Sequence, residues 1–364
     1  MNLPINPSLK DLPVYQPGKP IEEVARELNI PAAKIIKLAS NENPIGPSPA
    51  AITAMKQVLD GINLYPDGNS YYLKEKLAQK LNVDSSNLIF GNGSNEIIEF
   101  VGHALMGPGV DVVVSQYCFL VYPLVARIFH ANLVIVPAKD FGHDLDAILS
   151  AITPATRVVF VANPNNPTGT SVPPIKLAKF IRQVPSNVLV VMDEAYIEFL
   201  DEPFDSIGFL KEHSLPNLLL MRTFSKIFGL AGLRIGYGVG SAELIAALEK
   251  VRQPFNINAI AQAGALAALG DEAHVALTRE NNKSGLRYFY GAFDKLGLQY
   301  VRSAANFILV KVGDGQKAFE QMQKAGVIVR PMGAYQLGEW IRITVGTPEQ
   351  NERCLGALRD ALRR

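Results

Sequence analysis

RVVFVANPNNPTG (157–169) reads as a buried strand that runs directly into a rigid turn. Its first half is apolar and β-branched without alternation, the pattern of a strand covered on both faces; its second half packs Asn and Pro as densely as a fixed turn requires. Open α/β sheets hold ligands beyond the carboxyl ends of their strands, so the turn from Asn163 to Gly169 stands where a ligand would sit. Within it, Asn166 brings an amide able to donate to a ligand oxygen.

The same texture extends to either side. LIF (88–90), DVVV (111–114) and LVIV (133–136) precede this strand, and NVLVVMD (187–193), NLLLMRT (217–223) and RIGYGVG (234–240) follow it. Between them NEIIEFVGHAL, KLAKFIRQV and SAELIAALEKV are amphipathic at helical spacing. This alternation predicts βαβ crossovers and an α/β unit with a mainly parallel central sheet in α/β/α layers. Past Pro254 the chain is helix-friendly from Asn258 to Leu296, with a break near Gly270. FILVKV (307–312), a helix around KAFEQMQKAG, VIVRP (327–331), WIRITV (340–345) and a helix from Pro348 then predict a smaller α+β unit. The first 45 residues, rich in Pro and Asn with one short helix at IEEVARELN (21–29), are expected to drape over the rest.

Composition narrows the function. The 364 residues carry 35 Lys+Arg against 34 Asp+Glu, a formal charge of +1, with no long run of one sign. That balance argues against nucleic acid or a membrane surface as partner. With 48% hydrophobic and 19% charged residues the chain is expected to fold compactly. MNLPINPSLKDLPVY (1–15) is broken by Pro and charge where an export signal needs an apolar stretch, and no stretch of about 18 apolar residues occurs elsewhere. Cys118 and Cys354 both fall in apolar segments and are expected to be buried thiols, so the cytoplasm is the expected home. The five histidines (His103, His130, His143, His213, His274) lack metal-ligand spacing, which implies no metal site, and His103 is expected to face the core.

Three further segments carry chemistry. In IFGNGSNEIIEF (89–100) a strand, a Gly-rich turn and a helix opening at about Ser94 make an anion site from free N–H groups and the helix dipole. A dinucleotide fingerprint would want Gly where Glu96 stands. VLVVMDEAYIEF (188–199) ends its strand in Asp193, an acid costly to bury without a positive partner, with Tyr196 close behind. MRTFSKIFGLAGLRIGYG (221–238) sets Lys226 among Thr223, Ser225 and Arg234. Each piece alone has a plainer reading, as a tight turn capped by Ser94, a solvated strand end or a surface lysine. Together they supply a phosphate cradle, a buried carboxylate, Asn and Tyr donors and a lysine at one sheet edge, which is what pyridoxal phosphate requires.

The order G-N-G-S-N-E, N-P-N-N-P-T-G, D-E-A-Y, S-K, A-G-L-R-x-G resembles the fold-type I pyridoxal-phosphate enzymes, the aspartate aminotransferase superfamily, over almost the whole chain. The resemblance implies Lys226 as Schiff-base lysine and proton shuttle, Asp193 on the pyridine nitrogen, and Asn166 and Tyr196 at the phenolic oxygen. It implies Gly93, Ser94, Asn95, Thr223, Ser225 and Arg234 around the cofactor phosphate, with Tyr65 of LYPDG (64–68) reaching the neighbouring subunit's cofactor in a homodimer with shared active sites. In SQYCFLVY (115–122), Phe119 aligns with the ring that stacks on the cofactor, and Tyr117 is the second choice.

Within the superfamily, LPVYQPGKP (12–20), LASNENPIGPSP (38–49) and the tail from VIVRP resemble the enzymes that exchange an amino group between histidinol phosphate and 2-oxoglutarate, giving imidazole-acetol phosphate and glutamate in histidine biosynthesis. Aromatic aminotransferases and threonine-phosphate decarboxylases share most of these motifs. The same resemblance implies Arg342 as the carboxylate-binding arginine, Arg330 as its partner for a phosphate, and Tyr15 and Asn41 closing the site. It divides the chain into a cofactor-binding domain (50–260) and a small domain built from both chain ends (1–49 and 261–364).

Overall fold

The computed structural model describes Leu9, Leu12 and residues 18–363. Seven strands form the main sheet: β1 (Leu88–Gly91), β2 (Asp111–Ser115), β3 (Asn132–Val136), β4 (Thr156–Ala162), β5 (Leu189–Asp193), β6 (Leu218–Thr223) and β7 (Gly236–Val239). Their spatial order is β1-β7-β6-β5-β4-β2-β3. All neighbours are parallel except β7, which runs antiparallel to both β1 and β6. All seven apolar runs read from the sequence are strands of this one sheet.

Side-chain alternation explains why those runs show no polar face. Along β4, Val159 and Val161 enter one apolar cluster while Val158 and Phe160 enter another; in β5, Val190 and Met192 take the first side and Leu189 and Val191 the second. Helices cover both faces, so the apolar residues of the central strands leave water, at about 1.5–3 kcal/mol of stabilisation for each large aliphatic side chain; the edge strand β3 is the exception, with Ile135 56% exposed.

Register then aligns the strand ends. Asp193 of β5 pairs with Ala162 of β4 on one side and Met221 of β6 on the other, and Thr223 pairs with Gly236. The direction of crossover reverses between β2 and β4, the point at which a doubly wound sheet opens a crevice for a ligand.

A second, antiparallel sheet has the order Arg330–Pro331, Trp340–Thr344, Phe307–Lys311, Tyr300–Val301. Helices Glu272–Leu296, Gly315–Lys324 and Pro348–Leu362 pack with it around a separate apolar cluster. The helical stretch past Pro254 is two helices, Ala259–Ala268 and Glu272–Leu296, interrupted at Gly270 as the sequence suggests. VIVRP, in contrast, is not one strand. Val327–Ile328 pairs in parallel with Ile36–Lys37, whereas Arg330–Pro331 pairs with Trp340–Thr344. The first pairing ties the N-terminal segment to the C-terminal one, and Val24, Ile35 and Ala39 close a small apolar cluster over Ile328.

His103 corrects another expectation, since it is exposed and lies edge-on against Phe129 at 4.6 Å. The buried residues of its helix, Ile97, Ile98, Phe100, Val101 and Gly102, define an arc opposite which position 103 falls at about 100° per residue.

Candidate active site

A cavity of about 320 Å³ opens beyond the carboxyl ends of β4, β5 and β6. One end is built by helix Ser94–Leu105, whose first N–H groups have no intrahelical partner and whose dipole there favours negative charge. Gly93 holds the N-cap position at φ +73°, and Ser94 is the first helical residue instead of the cap. A Cβ at Gly93 would collide with the Arg234 guanidinium, so glycine is required by the close approach as well as by the backbone. Arg234 is fixed by Nη1 donating to the Ala231 carbonyl and Nη2 to the Asn92 carbonyl, both at 3.4 Å. Thr223 and Ser225 line the same end, with the Ser225 N–H donating to Thr223 Oγ1 at 3.1 Å.

Asp193 is 7% exposed. Tyr122 donates its hydroxyl to Oδ2 at 2.6 Å and the Ala195 N–H donates to Oδ1 at 3.1 Å. No cation forms an ion pair with it among the described residues. Burial raises the carboxyl pKa above the ordinary value, against the lowering effect of those two donors. Tyr122 is itself fully buried, stacked on Phe160 with centroids 4.4 Å apart. Burial and the neighbouring Asp193 push its phenol well above 10, so it remains the donor.

Lys226 follows β6. Its Nζ donates to the Ser40 carbonyl at 3.2 Å and lies 5.6 Å from the Tyr196 ring centroid. Burial, with repulsion from Arg342 and Arg234, lowers its pKa to about 8, while Glu42 and Asp193 oppose the shift. A lysine so placed is far more readily neutral, and therefore nucleophilic and basic, than an exposed one.

Asn41 holds Tyr196 in place, its Nδ2 donating to the phenol oxygen at 2.9 Å while its backbone N–H donates to Thr344 Oγ1 at 2.9 Å. Arg342 is 6% exposed, with Nη1 donating to Asn166 Oδ1 at 2.5 Å, Nη2 to the Ala39 carbonyl at 2.9 Å, and the guanidinium 5.1 Å from the Phe307 centroid. Arg330 lies directly opposite Arg342 on the adjacent strand.

The cavity therefore gathers Gly93, Ser94, Asn95, Phe119, Asn166, Asp193, Tyr196, Thr223, Ser225, Lys226 and Arg234 from the residues singled out in the sequence. Tyr117 stacks on Phe141 at 5.9 Å instead of lining it. Tyr65 is not brought in; it is 83% exposed and stacks on Phe255 at 4.8 Å. Tyr15 lies outside the described residues. Sequence reading missed Ser40 and Glu42, which line the cavity beside Asn41, and gave Tyr122 no role. It also missed the buried Arg222–Glu194 pair (2.8 Å), although a lone arginine in the apolar run NLLLMRT signals one.

A doubly wound sheet whose strand ends gather a basic lysine, an uncompensated buried carboxylate and an anion-binding helix terminus defines an α/β enzyme for a small anionic ligand. The chain belongs to the aminotransferase class I and II family, whose family model matches residues 33–358. It is 48% identical over 358 residues to the histidinol-phosphate aminotransferase of Akkermansia muciniphila, covering 98% of both chains. To the enzyme of that name from Moorella thermoacetica it is 49% identical over 351 residues, covering 96% of this chain and 90% of the relative. Among solved structures, histidinol-phosphate aminotransferase from Sinorhizobium meliloti in complex with pyridoxal-5'-phosphate superposes with a TM-score of 0.90 at 27% identity, covering 99% and 98% of the two chains. An aspartate aminotransferase double mutant from Thermus thermophilus gives 0.82 at 25% identity, covering 96% and 97%.

Proposed function

We propose that this cavity binds pyridoxal phosphate and exchanges an amino group between histidinol phosphate and 2-oxoglutarate, giving imidazole-acetol phosphate and glutamate, a step of histidine biosynthesis. The observation that carries it is Asp193, a buried carboxylate with neutral donors only, in the same cavity as a lysine of lowered pKa. A pyridine nitrogen bearing a proton supplies the missing cation. The Arg234 guanidinium, packed against Gly93 beside the N-terminus of helix Ser94–Leu105, suits a phosphate equally well. When bound, the cofactor supplies an aldehyde that takes up the amino group and a cationic ring that accepts the electron pair released at the substrate's Cα.

The chain's own residues do the rest. Gly93, Ser94 and Asn95 offer N–H and side-chain donors to the phosphate, with Thr223, Ser225 and the Arg234 guanidinium on its other side. Asp193, oriented by Tyr122, holds the proton on the ring nitrogen. Asn166 spends its oxygen on Arg342 and so presents its amide N–H groups to the phenolic oxygen, where Tyr196 also donates. Phe119 covers one ring face. Lys226 is the amine that would hold the cofactor aldehyde, and its freed amine would take the proton from the substrate's Cα and hand it back on the cofactor side, so that the proton is conserved. Arg342 and Arg330 bind the anionic end of each substrate, the glutamate carboxylate or the histidinol phosphate ester, and Asn41 closes over it.

In this reading residues 50–260 hold the cofactor, and 1–49 with 261–364 form the small domain that brings Arg342. A second copy supplies Tyr65: the segment bearing Ile62, Leu64, Tyr65, Tyr71 and Tyr72 is exposed although apolar, which suits a homodimer interface. No helix among the described residues is long and apolar enough to cross a membrane, and both cysteines are buried and unpaired, which accords with a cytoplasmic enzyme.

The test is a substrate panel on the purified holoenzyme: histidinol phosphate, phenylalanine and threonine phosphate, each with 2-oxoglutarate, monitoring glutamate and CO2. Glutamate formed fastest from histidinol phosphate supports the proposal. A preference for phenylalanine, or CO2 released from threonine phosphate, replaces it with an aromatic aminotransferase or a decarboxylase.

A further inference from the structure

Histidinol phosphate is set apart by its imidazole, which presents one N–H donor when neutral and two when protonated. A site that selects this ring needs an acceptor not already engaged in holding the cofactor. Four charged side chains act on the Lys226 amine: Arg342, Glu42, Arg234 and Asp193. Under the transamination proposed above, on which this inference rests, three of them have tasks: the substrate's anionic end, the cofactor phosphate and the ring nitrogen. Glu42 has none. It lines the cavity beside Ser40, whose carbonyl accepts a hydrogen bond from Lys226 Nζ. Lys37 Nζ donates to its Oε1 at 3.0 Å, and its Oε2 has no hydrogen-bond partner among the described residues.

The geometry points to Glu42 as the residue that reads the substrate's side chain: Oε2 accepts the imidazole N–H while Lys37 fixes the carboxylate through Oε1. The other acidic group of the cavity, Asp193, already engages both oxygens, with Tyr122 and the Ala195 N–H. A phenyl ring at the same place offers no donor and would strip water from the carboxylate without replacing it, so Glu42 both attracts imidazole and rejects its apolar counterpart.

The test measures single-turnover half-reactions of the wild-type, Glu42→Gln and Glu42→Leu holoenzymes with histidinol phosphate, phenylalaninol phosphate and glutamate. Glu42→Leu is expected to lower kcat/KM for histidinol phosphate about 30- to 100-fold and to reduce the preference over phenylalaninol phosphate at least tenfold, with a far smaller loss on glutamate. Glu42→Gln, which keeps a carbonyl acceptor, falls between. An unchanged preference overturns the inference. So does an equal loss on all three substrates with a displaced pH midpoint of the visible cofactor band, which would place Glu42's action on Lys226. A wild type inactive on histidinol phosphate overturns the proposed function and the inference with it.

Discussion

Tyr122→Phe removes one hydroxyl and leaves the ring stacked on Phe160, so the substitution isolates the 2.6 Å bond to Asp193 Oδ2. A hydrogen bond to a buried carboxylate is worth about 1.5–3 kcal/mol, so its loss raises the Asp193 pKa further above the ordinary carboxylate value. Burial already raises that pKa, and Tyr122 opposes the rise. Without Tyr122 the carboxylate is therefore a better base and a less secure anion. Its hold on the ring-nitrogen proton loses definition in both position and charge, and kcat is expected to fall about 10- to 100-fold, while the visible band remains because Lys226 is intact. Steady-state kinetics with histidinol phosphate and 2-oxoglutarate, beside an absorbance spectrum and a melting curve, measure the effect. A kcat within twofold of wild type together with a lowered Tm would refute the reasoning, because the bond would then be structural only.

The remaining predictions concern other parts of the cavity. Lys226 should react with added pyridoxal phosphate in the apoprotein at a rate that rises with pH through a midpoint near 8, since its lowered pKa makes the neutral amine abundant above that value; a midpoint near 10.5 would contradict the burial argument. Arg342→Lys cannot donate from two coplanar nitrogens to Asn166 and Ala39, and should raise KM for both substrates about 100-fold with a folded, coloured enzyme. Gly93→Ala meets both a positive φ and the Arg234 guanidinium, and should weaken cofactor retention at least tenfold in equilibrium dialysis while shifting the melting temperature of the apoprotein little. Arg222→Met leaves Glu194 buried without its partner and should cost about 3–5 kcal/mol of stability by denaturant titration.

The central strands of the main sheet were legible because burial on both faces erases polar alternation, leaving runs such as RVVFVA, while LVIV on the edge strand β3 was legible from its β-branched run although Ile135 is exposed. Direction was less legible: RIGYGVG carries no mark of its antiparallel placement, which follows from the short return after Lys226 and not from composition. VIVRP shows the same limit, since one apolar run is shared between two sheets and only the partners, Ile36 and Ile341, reveal the division. In the site, residues on strand ends and Gly-rich turns stood out because their positions have few other uses. Glu42 and Ser40 did not, since their approach to Lys226 depends on how the N-terminal segment folds back, a contact some 186 positions long. Tyr122 was likewise hidden: a tyrosine on a helix has many ordinary uses, and its reach across 71 positions to Asp193 exists only once β2 and β5 are in one sheet.

The central claim, that Lys226 bears pyridoxal phosphate in the cavity closed by Asp193, is tested most directly by reducing the holoenzyme with borohydride and mapping its peptides by mass spectrometry. The account predicts loss of the visible band and a single pyridoxyl-phosphate adduct on Lys226. An adduct on another lysine, or none on a protein that still turns over, would contradict it.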